Sequence, residues 1–433
     1  MLYYSTNHKS SKADFKKATI EGLAPDGGLY FPESIPKLPN SLINDLKNIP
    51  DEEIAFNVMH PFVGDTIPIE ELKNILQETL NFDIPLISLN KNINVLELFH
   101  GPTMAFKDIG ARFMSRCLGY FVKDLNKNVT VLVATSGDTG GAVADGFYNI
   151  EGIDVVILYP AGKVSPIQEL QLTTHGKNIH AIEVQGTFDD CQLLVKKAFN
   201  DETLKAEVFL TSANSINVAR WLPQQLYYFL AIKQWDLEIG NPIISVPSGN
   251  FGNICAGLLA YKRGLPIKHF IAACNANDVI PQYFQTGNYR AFQSISTIAN
   301  AMDVGDPSNF IRILELFDHD FNVLKGMMSS YSFTDQETKD GIKDLYKYFN
   351  YISDPHGAIG YLGLKKYLIE AEGNNGLFLG TAHAIKFPEV VEKVIESQIP
   401  MPLSISDLLQ KSCNKVSMPV KYEDLKNYLI SRN

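Results

Sequence analysis

Val129-Thr-Val-Leu-Val-Ala-Thr-Ser-Gly-Asp-Thr-Gly-Gly-Ala-Val-Ala-Asp-Gly-Phe147 reads as a strand, a glycine loop and a helix. Val129 to Thr135 is a continuous apolar, β-branched run, as expected of a strand buried on both faces of a parallel sheet. The loop Ser136-Gly-Asp-Thr-Gly-Gly141 is built of small residues. These let backbone N–H groups approach a ligand, and the helix start adds partial positive charge, so the combination can hold an anion. Asp138 inside the loop argues against a plain polyphosphate cradle, and the glycines match neither the P-loop nor the dinucleotide spacing. A tight strand–helix turn with no ligand is the other reading.

The same rhythm continues on both sides. Asp154 to Leu158 and Ile179 to Val184 read as strands, with helical patterns through Thr174 and from Thr187 to Asn200. Strands alternating with helices argue for a doubly wound parallel sheet and an α/β fold. Pro242-Ile-Ile-Ser-Val-Pro247 is a further buried strand. It opens into Ser248-Gly-Asn-Phe-Gly-Asn253 and an apolar helix from Ile254 to Tyr261. This second glycine loop has the parts for one phosphate monoester, with Gly249 and Gly252 for close approach and N–H donors along the loop.

Upstream, Asn94 to Leu98 reads as a strand that leads into a turn at Gly101-Pro102. Met104-Ala-Phe106 then delivers Lys107 to the start of a helix reaching about Val122. Apolar neighbours and the positive end of a helix both disfavour the ammonium form, so the amine pKa is expected to fall. Such a lysine can act as a nucleophile and form a Schiff base. Alone, it reads far more often as a surface lysine in a loop-to-helix turn. A Schiff-base lysine together with a phosphate cradle points to pyridoxal phosphate.

Other stretches carry weaker signals. In Ser212-Ala-Asn-Ser-Ile-Asn-Val-Ala-Arg220, Ser215 is expected as a helix N-cap, with Asn217 and Arg220 three apart on one helical face. Arg220 there could hold a phosphate or carboxylate, or be a surface residue of a capped helix. Thr381, after the strand Gly376 to Gly380, could reach a ring nitrogen or cap a helix. His356 and His383 are possible acid–base groups or structural histidines. Thr297 to Pro307 is turn-rich and polar, like a segment over a site. Residues 1 to about 90 read as a mixed, mostly helical region, and the tail from Ser404 as charged and helical.

Composition sets outer limits. The 433 residues are enough for two or three domains, and the 45% hydrophobic and 20% charged contents are those of a globular protein. A net charge of −10 argues against nucleic acid as a partner. Five scattered cysteines without a C-x-x-C pair argue against a disulfide framework or a metal knot, and fit a reducing compartment. No basic apolar leader and no run of about 18 apolar residues is present, so a cytoplasmic location away from membranes is expected.

The motifs in order carry a resemblance. They are Gly22-Leu-Ala-Pro-Asp-Gly-Gly-Leu-Tyr30, His100-Gly-Pro-Thr-Met-Ala-Phe-Lys-Asp108, Thr135-Ser-Gly-Asp-Thr-Gly140 and Ser212-Ala-Asn-Ser-Ile-Asn217. They continue with Pro247-Ser-Gly-Asn-Phe-Gly252, Asn300-Ala-Met-Asp303, Asp354-Pro-His-Gly357 and Gly380-Thr-Ala-His383. Over nearly its full length the chain resembles the threonine synthases, fold-type II pyridoxal-phosphate enzymes, in the bacterial and fungal branch without a regulatory S-adenosylmethionine domain. It departs from them at Asn253, where Asp is expected, and at Ala384-Ile385, where Pro-Ala is usual.

The resemblance implies two doubly wound open-sheet domains plus the N-terminal region. These would be residues 1–90, a large cofactor-binding domain of 91–112 and 223–433, and a smaller domain of 113–222. It implies Lys107 as the cofactor's Schiff-base lysine. The cofactor phosphate would sit on Gly249, Asn250, Phe251, Gly252 and Asn253, with Thr381 at the pyridine nitrogen. Ser136, Gly137, Asp138 and Thr139 would meet the substrate, O-phospho-L-homoserine, with Ser215, Asn217 and Arg220 as candidates for its phosphate. The implied reaction yields threonine and phosphate, with no metal and no obligate protein partner. The rival readings are a related lyase forming 2-oxobutyrate and a non-catalytic homologue that binds amino-phosphates.

Overall fold

The computed structural model describes residues 1–123, 128–371 and 373–432. Two open sheets organise these residues. The larger has six strands in the order Met328–Ser332, His269–Cys274, Ile243–Pro247, Gly376–Gly380, Ile93–Glu97 and Leu86–Ser88. All are parallel except the edge strand Leu86–Ser88. The smaller has five parallel strands in the order Lys415–Met418, Ile179–Val184, Ile153–Pro160, Val129–Ala134 and Phe209–Thr211. The apolar runs explain the central positions: every residue of Val129–Ala134 and of Ile243–Pro247 is buried, which requires cover on both faces.

Helices supply that cover. Pro355–Glu370 packs on the strands Ile243–Pro247, His269–Cys274 and Gly376–Gly380. It starts where Asp354 accepts N–H bonds from His356 and Gly357, with Pro355 in the first turn. Gly252–Lys262 packs against Gln225–Gln234, another helix of the larger unit. The N-terminal region is mostly helical, as expected, and adds a small hairpin-like pair of Tyr3–Ser5 with Tyr30–Pro32. It is anchored by Arg263, which is fully buried and donates to the carbonyls of Pro36 and Val58.

Two expectations differ from the structure. The tail was expected to be helical, yet it also contributes Lys415–Met418, an edge strand on the smaller sheet. Residues 415–418 therefore join the sheet of the 113–222 segment, not that of the large domain. Three of these four residues are exposed and only Met418 is buried, so no apolar alternation marks the strand. The helix expected to follow a Ser215 cap instead begins at Val218, with Asn217 as its cap. No helix among the described residues is long and apolar enough to cross a membrane.

Close helix packing sets the position of the second glycine loop. A Cβ at Gly257, in Gly252–Lys262, would lie 2.5 Å from the buried ring of Tyr228 and 2.7 Å from that of Phe270. Gly257→Val is expected to lower stability by about 1–3 kcal/mol, by overpacking; urea unfolding of the full chain measures it.

Candidate active site

The carboxyl ends of three neighbouring strands of the larger sheet meet at one place. Ile93–Glu97 leads to the Lys107 turn, Ile243–Pro247 to the loop at Ser248, and Gly376–Gly380 to Thr381. Ligands of open α/β sheets bind outside such strand ends. From the smaller sheet, Val129–Ala134 delivers Ser136 and Asp138 to the same place. A cavity of about 480 Å³ lies there, lined by Lys107, Ser136, Asp138, Thr139, Ser215, Arg220, Gly249 to Asn253 and Thr381.

Lys107 opens the helix Lys107–Val122. Its turn is stitched to the neighbouring strand end: Phe106 N–H donates to the Thr381 carbonyl at 2.9 Å, and His383 N–H to that of Met104 at 3.1 Å. Tyr227 donates its hydroxyl to the carbonyl of Phe106. Asp108 accepts from both the backbone and the hydroxyl of Thr103. A Cβ at Gly101 would lie 2.5 Å from Asp108 Oδ2, so the turn needs glycine there. Burial is the largest influence on the Lys107 amine and pushes it from the ordinary 10.5 to about 8, against the pull of Asp138.

The Ser248–Asn253 loop is a shaped cradle. Phe251 takes the left-handed conformation, φ 61°, which turns the chain into the helix Gly252–Lys262. Gly249 is required by contact, because a Cβ there would lie 2.6 Å from the Met302 backbone. Asn250 donates to Ser215 Oγ at 2.8 Å and accepts from Ser308 N–H at 2.7 Å, so its side chain braces the loop. Asn253 accepts from the Tyr228 hydroxyl at 2.9 Å. Its Nδ2 is buried and has no hydrogen-bond partner. That orphaned donor, on a cavity-lining residue at a helix start, fits an anion; an aspartate at this position could only accept.

The remaining sequence candidates divide. Ser136, Asp138 and Thr139 line the cavity, but Gly137 does not. Its φ is 139°, and a Cβ would lie 2.5 Å from the Gln168 side chain, so it serves the path of the backbone. Arg220 lines the cavity with Nε unpartnered while Nη1 donates to the Ala213 carbonyl. Burial lowers its pKa to about 10. Asn217 is a correction. It is fully buried, caps Val218–Trp221 by accepting from Ala219 N–H, and donates to the carbonyls of Thr19 and Ser212, so it does not face the cavity. Ser215 is not the cap; its hydroxyl accepts from Asn250 and Asn309 at the cavity wall.

Of the two histidines, His356 lines the cavity. Its Nε2 accepts the Ala301 N–H at 3.2 Å, so Nδ1 carries the proton toward Asp354 Oδ2, 2.6 Å away. That pair props the Asn300–Asp303 turn against Gly249. His383 instead caps the turn Ala384–Lys386 through Nδ1. Gln224 lines the cavity, and Lys386 and Gln168 contact the cavity residue Asp138; the sequence reading singled out none of the three. Lys386 had one usable sign, its place between apolar Ile385 and Phe387 next to the Gly380-Thr-Ala-His383 motif.

Comparison with known proteins follows the same outline. Residues 81–379 match the pyridoxal-phosphate dependent enzyme family. Residues 2–80 match the threonine synthase N terminus, and residues 357–429 the threonine synthase C-terminal region. Threonine synthase of Haemophilus influenzae is 43% identical over 435 residues, covering 99% of this chain and all of that one. That of Escherichia coli is 40% identical over 432 residues, covering both chains fully. The crystal structure of the Escherichia coli protein superposes with a TM-score of 0.93 at 39% identity over all of both chains. A pyridoxal-phosphate-bound threonine synthase from Brucella melitensis does so at 0.93 and 33% identity, covering 100% of this chain and 99% of that one. Maize serine racemase, at 18% identity and a TM-score of 0.55, shares the fold.

The site therefore fits pyridoxal phosphate: a desolvated lysine, a glycine cradle at a helix start, and an unpaired amide donor. Gly249→Ala is expected to weaken cofactor binding at least tenfold, because the backbone of Met302 cannot yield; a fluorescence titration of the apo-protein reads this. Lys107→Ala is expected to abolish the absorbance of the lysine–cofactor bond, read in the spectrum of the purified protein.

Proposed function

We propose, because this chain belongs to the threonine synthase family of pyridoxal-phosphate-dependent enzymes, that it converts O-phospho-L-homoserine and water into L-threonine and phosphate. One observation carries this choice of substrate. The cavity that holds the desolvated Lys107 is lined by more anion-seeking groups than one phosphate needs. Ser248–Asn253 suits the cofactor phosphate. Ser136, Thr139, Ser215 and Arg220 remain for a second phosphate, that of the substrate.

The roles follow from the chemistry of each group. Lys107 would bond the cofactor and, once released by the substrate amine, would stand as a base for the proton on Cα. An amine near 8 is largely able to take that proton at mildly alkaline pH. The cofactor, when bound, supplies a ring that accepts the electrons left on carbon. Thr381, at the cavity wall, would face the pyridine nitrogen with a neutral hydroxyl. Arg220, which lines the cavity, would neutralise the departing phosphate at Cγ. In the overall change the Cγ–O bond and one Cβ–H bond break, the hydroxyl of water bonds to Cβ, Cγ gains a proton, and the other water proton goes to the released phosphate.

The division of the chain is part of the same reading. An N-terminal region of 1–90 would support a cofactor-bearing part around the larger sheet. The smaller sheet, with residues 113–222 and the tail strand, would carry the Ser136–Thr139 loop. The free cysteines, four of them buried, support a reducing, cytoplasmic location.

The purified holoenzyme, given O-phospho-L-homoserine, is expected to release threonine and phosphate in equal amounts. Phosphate with 2-oxobutyrate and ammonia would reassign the reaction to a related lyase, and no phosphate release would remove the substrate.

A further inference from the structure

Lys386 is a lysine of the site with no part in the reaction described so far. It lies in the turn Ala384–Lys386, just past the strand Gly376–Gly380, and its side chain has no exposed surface. An ammonium group so buried needs partners. Its Nζ lies 2.7 Å from Asp138 Oδ1 and donates to the Thr103 carbonyl at 2.9 Å. Asp138 Oδ1 also accepts from Gln168 Nε2 at 2.9 Å. Asp138 opens the helix Asp138–Phe147 on the smaller sheet. The ion pair therefore ties the carboxyl end of one sheet to that of the other, at the wall of the cavity.

Lys107 stands within electrostatic reach of both members. Burial lowers the Lys107 amine most; Asp138 opposes that, and Lys386 and Arg220 reinforce it. Burial by itself would raise the Asp138 carboxyl. Lys386 and then Lys107, with hydrogen bonds from Lys386 and Gln168, outweigh burial and hold it well below the usual carboxylate range. The other charged or titratable groups facing this cluster are Asp108, held by Thr103, and His383, on the turn that carries Lys386. One buried carboxylate thus has two lysines to choose between.

We propose that Lys386 is a positioning residue for the reaction: by occupying the Asp138 carboxylate it keeps that carboxylate from pairing with Lys107, and so leaves the Lys107 amine free to react. A buried carboxylate stripped of its cation is an uncompensated charge, and Lys107 is the other lysine that already acts on Asp138. In the absence of Lys386 the pairing cation is Lys107, whose ammonium form would then be favoured. The ion pair is a guard on the reactive amine as well as a tie between the two sheets.

The inference rests on Lys107 being the lysine that bonds pyridoxal phosphate, and the test separates the two claims. The apo form of the full chain is mixed with pyridoxal phosphate, and the rate of covalent capture is followed by absorbance from pH 6 to 10. Wild type is expected to show a midpoint near 8. Lys386→Met is expected to move it up by about one pH unit or more, because an opposite charge now pairs with the amine. Lys386→Arg keeps the pair and the wild-type midpoint. Asp138→Asn leaves only cations around Lys107 and moves the midpoint down. Lys386→Met combined with Asp138→Asn returns the midpoint to the wild-type value or below.

A folded Lys386→Met protein with an unmoved midpoint would overturn the proposal, even with a lower melting temperature, since that is what a purely structural lysine does. A double variant as high as Lys386→Met would overturn it too. If Lys386→Met does not fold, Asp138→Asn decides alone, and a midpoint that stays or rises counts against the proposal. Failure of wild type to capture the cofactor at any pH would instead sink the assignment of Lys107.

Discussion

Charge buried beside charge governs this site. Lys107 sits out of water, which lowers its amine pKa, yet a lone buried ammonium is costly. Asp138 pulls Lys107 toward the charged form, and the fully buried Lys386, together with Arg220, pushes it back. The balance leaves an amine near 8, between a surface lysine and a neutral one. It holds only if the two sheets keep their strand ends together, since Asp138 belongs to one and both lysines to the other. The arrangement of the whole chain is in this sense a device for placing three charges.

Backbone packing provides the accuracy that this requires. The Lys107 turn is hydrogen-bonded to the segment after Gly376–Gly380, so two neighbouring strand ends move as one. Gly101 admits Asp108, and Gly249 admits the Asn300–Asp303 turn, at distances no side chain would allow. That turn is held from behind by His356, whose tautomer is set by Asp354 on one nitrogen and by a backbone N–H on the other. Arg312, fully buried, donates to the carbonyls of Tyr30, Ser215 and Ile216, and so joins the N-terminal region to the wall that carries Ser215.

The departures from expectation have local causes. Ser215 and Asn217 are both good cap residues two positions apart, and propensity does not choose between them. The choice falls to Asn217 because its amide also reaches the carbonyls of Thr19 and Ser212, a contact made across the fold. The strand Lys415–Met418 was missed because an exposed edge strand needs no apolar alternation. Lys386 was missed because a lysine next to a proline-ended turn reads as surface, and only its distant partner Asp138 makes burial tolerable.

What was legible in the sequence was whatever local pattern dictates. The β-branched runs at Val129 and Pro242 require buried parallel strands, and the glycine loops after them require close backbone approach. The apolar flanks of Lys107 are consistent with a desolvated amine, and the two glycine loops are what raise that reading above a surface lysine. Those features, with their order along the chain, determined the fold class and singled out the candidate lysine and the candidate phosphate loop. The tertiary structure alone decided which polar side chains share the cavity. It turned Asn217 inward as a cap and Gly137 away, left Nδ2 of Asn253 unpaired, and set Lys386 against Asp138 from 248 residues away. The physical reason is that hydrogen bonds and ion pairs are satisfied by whatever the fold brings within about 3 Å. Sequence spacing carries no record of that distance.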